Sequence, residues 1–265
     1  MLDTQGVTGS NPVPPTMDIE IIYESEDLIV INKPSGLLVH TTPKILREPQ
    51  NKREKTLVDW ILDKYPEIRG VGDPPLHNAV EGQEIQRSGI VHRLDRETSG
   101  LLVVARTQNS FEILKKLFQE RRIEKKYYAL VWGEPKTDKG KIEKEIASIS
   151  GKKITVEEYS QAEPSKIRDA LTFWEVVKNY KEYSLLSVKP KTGRTHQIRV
   201  HMASVGHPLV CDRIYGKKKE CPIELNRLFL HAYFLQIPMP GGTVLEFGAE
   251  MPKVLTNFIN SIDIA

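Results

Sequence analysis

Cysteine is nearly absent: Cys211 and Cys221 are the only two in 265 residues. Two thiols make no disulfide framework, so the expectation is free thiols in a cytoplasmic protein. No stretch approaches the roughly 18 apolar residues that span a bilayer. The N-terminus lacks the charged start and apolar core of a secretion signal, so no membrane partner is expected. Charge of neither sign dominates. A net charge of +3 and a pI near 8.7 permit a nucleic-acid partner without establishing one. The histidines form no metal set. His196 and His201 are five apart, about 140° round a helix, and His207 and Cys211 supply no standard zinc spacing. No metal is expected, and no internal repeat is visible.

What is present is an ordinary globular composition, 39% hydrophobic and 28% charged, long enough for one sizeable core. Residues 1–17 are rich in Gly, Pro, Ser, Thr and Asn and read as a flexible leader. A single domain is expected over 18–265. Apolar alternation predicts strands over 19–23 and 28–32, followed by the turn Lys33-Pro34-Ser35-Gly36 and extended chain over 37–40. Lys33 is read as shaping a pocket rather than reacting. Residues 41–56 carry Lys44, Arg47, Lys52, Arg53 and Lys55 against Glu48 and Glu54, an exposed segment expected to touch a polyanion. Helical spacing appears over 56–65, capped by Thr56, and over 111–118, with Asn109 and Glu112 as a capping box. Residues 125–132 alternate, placing Tyr127 and Tyr128 on opposite faces. Hairpins are expected over 141–150 with 152–159 and over 170–177 with 183–188. A helix is expected over 195–205, facing inward through Ile198, Met202 and Val205. A last strand over 243–247 and a helix over 253–262 follow. Strands outnumber helices and come as consecutive hairpins. That gives an α+β class: a mixed, mainly antiparallel central sheet with flanking helices.

The stretch that organises the chain is His92-Arg93-Leu94-Asp95-Arg96-Glu97-Thr98-Ser99-Gly100, directly before an apolar strand over 101–105. Asp95 sits between two arginines, and a carboxylate among cations can serve as nucleophile or base. The order H-R-L-D, with no D-F-G and no Gly-rich phosphate loop, excludes a kinase catalytic loop. The alternative is a surface salt-bridge loop, which nine ordered residues make hard to sustain.

These residues resemble the signature H-R-L-D-x-x-T-S-G of RluA-type RNA pseudouridine synthases. Three further stretches resemble that family in the right order. Lys125, Tyr127, Ala129, Val131 and Gly133 fit K-x-Y-x-A-x-V-x-G. The run 192–201 fits T-G-R-x-H-Q-x-R-x-H. The run 206–216 fits G-H-P-L-x-G-D-x-x-Y-G, except that Cys211 stands where the family usually has Gly. Arg227 to Ala232 adds R-L-x-L-H-A, with His231 read as structural.

The resemblance implies the pseudouridine synthase fold and isomerisation of uridine in structured RNA, ribosomal or transfer. It makes Asp95 the catalytic residue, Tyr127 the active-site tyrosine and Arg194 the partner of Asp95. His92, Arg93, Leu94, Thr98, Lys125, Thr195, His196 and Arg199 are implied to bind substrate. The reaction is redox-neutral and demands no cofactor. A monomer is expected. The rival reading is a catalytically silent RNA-binding protein on the same fold. A glycosidase is weaker, because no second acidic motif completes a carboxylate pair.

Overall fold

The computed structural model describes residues 18–41, 53–74, 76–77, 84–85, 87–149, 152–155, 165–216 and 219–263. The expected leader and most of the cationic segment 41–56 lie outside the described residues. Among those described, the chain runs β1 (Glu20–Glu24), β2 (Leu28–Lys33), α1 (Leu57–Lys64), β3 (Leu76–His77), β4 (Glu84–Ile85), β5 (Ser99–Ala105) and α2 (Gln108–Gln119). It continues through β6 (Glu124–Trp132), β7 (Lys139–Glu143), β8 (Ile146–Ile149), β9 (Lys152–Thr155), β10 (Ser165–Arg168), β11 (Leu171–Asn179) and β12 (Tyr183–Pro190). It ends with α3 (Gln197–Ser204), β13 (Leu230–Pro238), β14 (Val244–Gly248) and α4 (Lys253–Ser261).

The main sheet has nine strands in the order β1-β2-β5-β13-β6-β12-β11-β7, with β14 paired to β13. Every pairing is antiparallel except β5 with β13. The expected mixed, mainly antiparallel α+β sheet is what the chain forms. β5 is buried along its whole length, as its unbroken apolar run requires of a central strand. Its alternate residues serve two cores. Leu102 and Val104 pack with α1 and Tyr127, while Leu101, Val103 and Ala105 pack with α2 and Phe247. A third cluster seats α4 through Leu255 and Phe258. Gly100 has φ +117°, and a Cβ there would lie 2.2 Å from the Ala232 carbonyl oxygen. Only glycine allows β13 to approach β5 this closely just behind Asp95.

Several boundaries differ from the sequence reading. Thr56 caps α1 as expected, with Asp59 closing the box. The cap of α2 is Thr107 with Ser110, not Asn109 with Glu112. The Ser110 hydroxyl also donates to the Asp27 carbonyl at 2.6 Å, a tertiary bond that local spacing could not show. Residues 139–143 pair with β11 rather than joining the hairpin of β8 and β9. Residues 37–40 form no strand. β13 was not expected as a strand.

The cysteines are the clearest correction. Cys211 and Cys221 form a disulfide, with Cα atoms 4.5 Å apart. The turn after Cys211 folds the chain back on itself, so a pair ten residues apart meets. Among the described residues, no helix is long and apolar enough to cross a membrane.

Candidate active site

The loop 92–98 is held from below by the turn 33–36. Lys33 is fully buried, and its Nζ donates to the carbonyls of Pro34, Leu37 and Arg96 at 2.8, 2.9 and 3.2 Å. Burial pulls its pKa down to about 7, with the Arg227 charge adding and Asp95 opposing. The Gly36 N–H donates to the Arg96 carbonyl at 2.8 Å, and the Ser35 hydroxyl to that of Glu97 at 2.7 Å. The Thr98 N–H closes the turn on the Asp95 carbonyl at 3.1 Å. Lys33 is therefore a staple for the loop, the structural role expected of it.

The arginines adjacent to Asp95 in sequence turn away from it. Arg96 donates to the Gly36 carbonyl at 3.0 Å and pairs with Glu54 at 2.5 Å. Arg93 reaches His40 at 3.4 Å. The Asp95 side chain, 18% exposed, instead meets two residues from the α3 region. Arg199 Nη1 lies 3.8 Å from its Oδ2, and His196 Nε2 lies 4.0 Å from its Oδ1.

Arg199 is gripped from behind by Asp212, Nε to Oδ2 at 2.7 Å and Nη2 to Oδ1 at 2.8 Å. This is a two-point fork on a carboxylate with no exposed surface. Burial works against both charges. The mutual hydrogen bonds outweigh it, so the Arg199 pKa lies above its ordinary value and that of Asp212 below. His196 adopts the left-handed conformation at φ 57°, and its Nδ1 sits 3.0 Å from the Tyr215 hydroxyl. Burial lowers its pKa against the pull of Asp95.

Arg194, expected beside Asp95, is not its neighbour. Its Nε donates to the Asp169 carbonyl at 3.0 Å, and burial, Arg168 and Arg121 depress its pKa. Residues 194–196 precede the helix, which starts only at Gln197. The Gln197 side chain accepts from the Arg194 N–H at 3.0 Å and from the Thr192 hydroxyl at 2.7 Å. His196 and His201 point apart, since His201 is buried against Thr172 and the Lys144 carbonyl.

Alternation in β6 behaves as expected. Tyr127 is buried toward the Asp95 side of the sheet, while Tyr128 stacks on Tyr233 with centroids 3.9 Å apart. Burial raises the Tyr127 pKa and the Asp95 charge raises it further, so Tyr127 is a neutral phenol and a donor. His92 stacks on Phe118 at 4.6 Å and accepts from the Val103 N–H at 3.0 Å. Burial depresses its pKa to about 3, so it is neutral and braces β5. Lys125 lies over the Phe118 ring at 5.5 Å, its pKa lowered by burial to about 8.

One cavity of about 620 Å³ is lined by every residue expected in the site, from Asp95, Tyr127 and Arg194 to Thr98 and Thr195. That volume falls in the range of small-molecule and nucleotide pockets. Residues 27–204 match the model of the RNA pseudouridylate synthase family. The chain belongs to this family.

An uncharacterized RNA pseudouridine synthase of Aquifex aeolicus is 39% identical over 251 residues, 91% of this chain and 72% of that one. A ribosomal large subunit pseudouridine synthase D of Yersinia pestis is 32% identical over 98% of this chain and 76% of its own. The solved human RNA pseudouridylate synthase domain containing 1 superposes with a TM-score of 0.68 at 26% identity. It covers 94% of this chain and 89% of its own. The protein is therefore an RNA pseudouridine synthase, an isomerase with the pseudouridine synthase fold. The contributors to its cavity that had no expected role include Phe118, Gln119, Arg121 and Ile123, on and just after α2. Asp212 and Tyr215, behind the cavity wall, were visible as motif letters only.

Proposed function

We propose that this synthase isomerises a uridine in structured RNA with Asp95 as its catalytic carboxylate. The observation that carries the proposal is Asp95 at the wall of the cavity, its Oδ2 facing Arg199 at 3.8 Å. In the reaction the N1–C1′ bond breaks, the uracil turns, C5 bonds to C1′, H5 leaves and N1 gains a proton. No electron is lost or gained overall, so the chain's own residues suffice.

Asp95 acts on the sugar or base, and Arg199 holds its charge in place. Tyr127, protonated, forms the wall against the uracil and can donate but not abstract while neutral. The acceptor for H5 is then Asp95 or water. The target uridine must leave its stack to reach Asp95. Lys115, which also lines the cavity, is tied to Asp73, while Lys116 and Arg122 are tied to Glu120 and Lys126 to Glu124. Among the described residues, Arg121 and Lys125 have no acidic partner, and both line the cavity. They suit phosphates beside the flipped nucleotide.

Relatives named for the ribosomal large subunit support ribosomal RNA as the target class and the cytoplasm as the location.

The test is H5 release from RNA labelled with tritium at uridine C5. Wild-type protein should release tritium and form pseudouridine. Asp95→Asn should bind the RNA within about threefold yet lose turnover, because an amide is a far poorer nucleophile or base. Binding without release by the wild type would mean a silent binder. Free uracil would mean a glycosidase. Turnover by Asp95→Asn within about tenfold of wild type would remove the aspartate from the mechanism.

A further inference from the structure

The two side chains that face Asp95 are both held from one short turn. Asp212 grips Arg199 at two points, and Tyr215 holds His196 through Nδ1. Both come from residues 212–216, which enclose no part of the cavity themselves.

The turn is internally fixed. Asp212 Oδ1 accepts from the N–H groups of Ile214 at 2.9 Å and Tyr215 at 3.0 Å, and the Gly216 N–H donates to the Asp212 carbonyl at 2.8 Å. A Cβ at Gly216 would lie 2.4 Å from that carbonyl oxygen, so the closing residue must be glycine. The turn is also anchored to the strand that carries Tyr127. The Val210 N–H donates to the Leu130 carbonyl at 2.9 Å, Leu209 bridges to Val131, and the Cys211–Cys221 disulfide ties the turn to the segment beyond it.

The Tyr215 hydroxyl also bears on the His196 tautomer. The Tyr215 oxygen accepts the backbone N–H of Lys153. With the Tyr215 hydroxyl as donor, His196 Nδ1, 3.0 Å away, is the acceptor. Nδ1 taken as acceptor leaves the proton on Nε2, the nitrogen that faces Asp95 at 4.0 Å. Asp95 thus meets an N–H from each side, Arg199 and His196, both aimed by the same turn.

We propose that the turn 212–216 is the positioning element of this active site. In it, Asp212 and Tyr215 are positioning residues that aim Arg199 and the His196 Nε2–H at Asp95. The proposal rests on Asp95 being the reacting carboxylate. It explains why a buried ion pair, weak evidence for stability in itself, stands here: Asp212 neutralises Arg199 while leaving Nη1 free for Asp95.

The experiment uses the full chain and a large-subunit ribosomal RNA transcript labelled with [5-³H]uridine. H5 release is measured in single turnover with enzyme in saturating excess, and affinity by filter binding. Tyr215→Phe removes one hydroxyl and keeps the ring. It should bind RNA within about threefold of wild type and release H5 at least tenfold more slowly, since small misplacements at reacting groups cost up to about a hundredfold. The imidazole ¹⁵N shifts of His196 should change from one tautomer to a mixture, which a merely structural tyrosine would not cause. Asp212→Asn should show the same split between rate and affinity, with the larger loss in rate. Tyr215→Phe that releases H5 within threefold of wild type overturns the proposal, as does a loss confined to affinity. Should Asp212→Asn fail to fold, Tyr215→Phe decides alone. Asp95→Asn runs alongside: its inactivity with a fully active Tyr215→Phe overturns the turn's role only, while its own activity overturns both readings.

Discussion

Exchanging Arg199 and Arg194 separately for methionine tests which of them serves Asp95, a role the sequence reading gave to Arg194 while it gave Arg199 to substrate binding. Arg199 is 3% exposed in its side chain and forks onto Asp212, whose side chain has no exposed surface. Removing the guanidinium leaves the Asp212 carboxylate with only the two N–H donors of Ile214 and Tyr215. Breaking a buried pair from one side costs about 3–5 kcal/mol. At about 2–4 °C per kcal/mol for a chain of this size, Tm should fall by roughly 6–20 °C. Arg194 has one hydrogen bond from its side chain, to the Asp169 carbonyl, and is repelled by Arg168 and Arg121. Its loss should cost no more than about 1 kcal/mol, the net worth of a single hydrogen bond. The assay pairs thermal melts with H5 release at 20 °C, scaled to the folded fraction. Arg199→Met should lose both stability and turnover. Arg194→Met should melt near wild type and show its loss in RNA affinity. A fully stable Arg199→Met that turns over, beside an inactive Arg194→Met, would refute the assignment.

Tyr127→Phe should reduce turnover far more than Tyr128→Phe, because Tyr127 lines the cavity and Tyr128 stacks on Tyr233; single-turnover rates of the two variants check this, and equal effects would sink it. Reducing the Cys211–Cys221 bond should cost about 3 kcal/mol for a loop of this length, read as a lower urea midpoint in dithiothreitol. In the reduced protein, Cys211→Gly should be more stable than Cys211→Ser by about 1 kcal/mol, since residue 211 has φ 61°. Lys33 has a folded pKa near 7 against an ordinary 10.5, so the unfolded chain binds the extra proton between those values. Its contribution to stability should therefore rise as pH climbs from about 7 toward 10, and urea unfolding of Lys33→Met should show a flatter pH slope across that window.

Elements with one clean period were legible. The hairpin of β11 and β12 and the split of Tyr127 from Tyr128 follow from alternation with one face on a core. α4 follows from its stripe of Leu255 and Phe258. Where tertiary bonds choose the boundary, local pattern gave the wrong residue. Thr107 outcompetes Asn109 as the cap of α2 because Ser110 is also needed by the Asp27 carbonyl. β13 has a near partner in β14, but its place inside the sheet is set by β5 and β6, which lie far back in the chain, and its one parallel pairing depends on Gly100. The disulfide was missed for a related reason. Two cysteines say nothing of meeting until the turn between them is known.

Within the site, the residues were legible as a set and their pairing was not. Arg194, His196 and Arg199 stand within six positions, and the motif alone cannot say which of them faces Asp95. Geometry decides it at two points. The left-handed His196 reverses the chain just before α3, so Arg194 leaves on the Asp169 side. Residues 197–202 are then buried all round, so no polar face marks which side looks into the cavity. The inward stripe read as Ile198, Met202 and Val205 fails at its last member, since Val205 is 39% exposed. Arg199 is tolerated in that buried helix because Asp212 meets it there. That partner sits beyond the helix, in a turn held by its own hydrogen bonds and by the disulfide. The arginine that serves Asp95 is thus chosen by a carboxylate thirteen residues further on, a long-range choice that spacing within the motif does not encode.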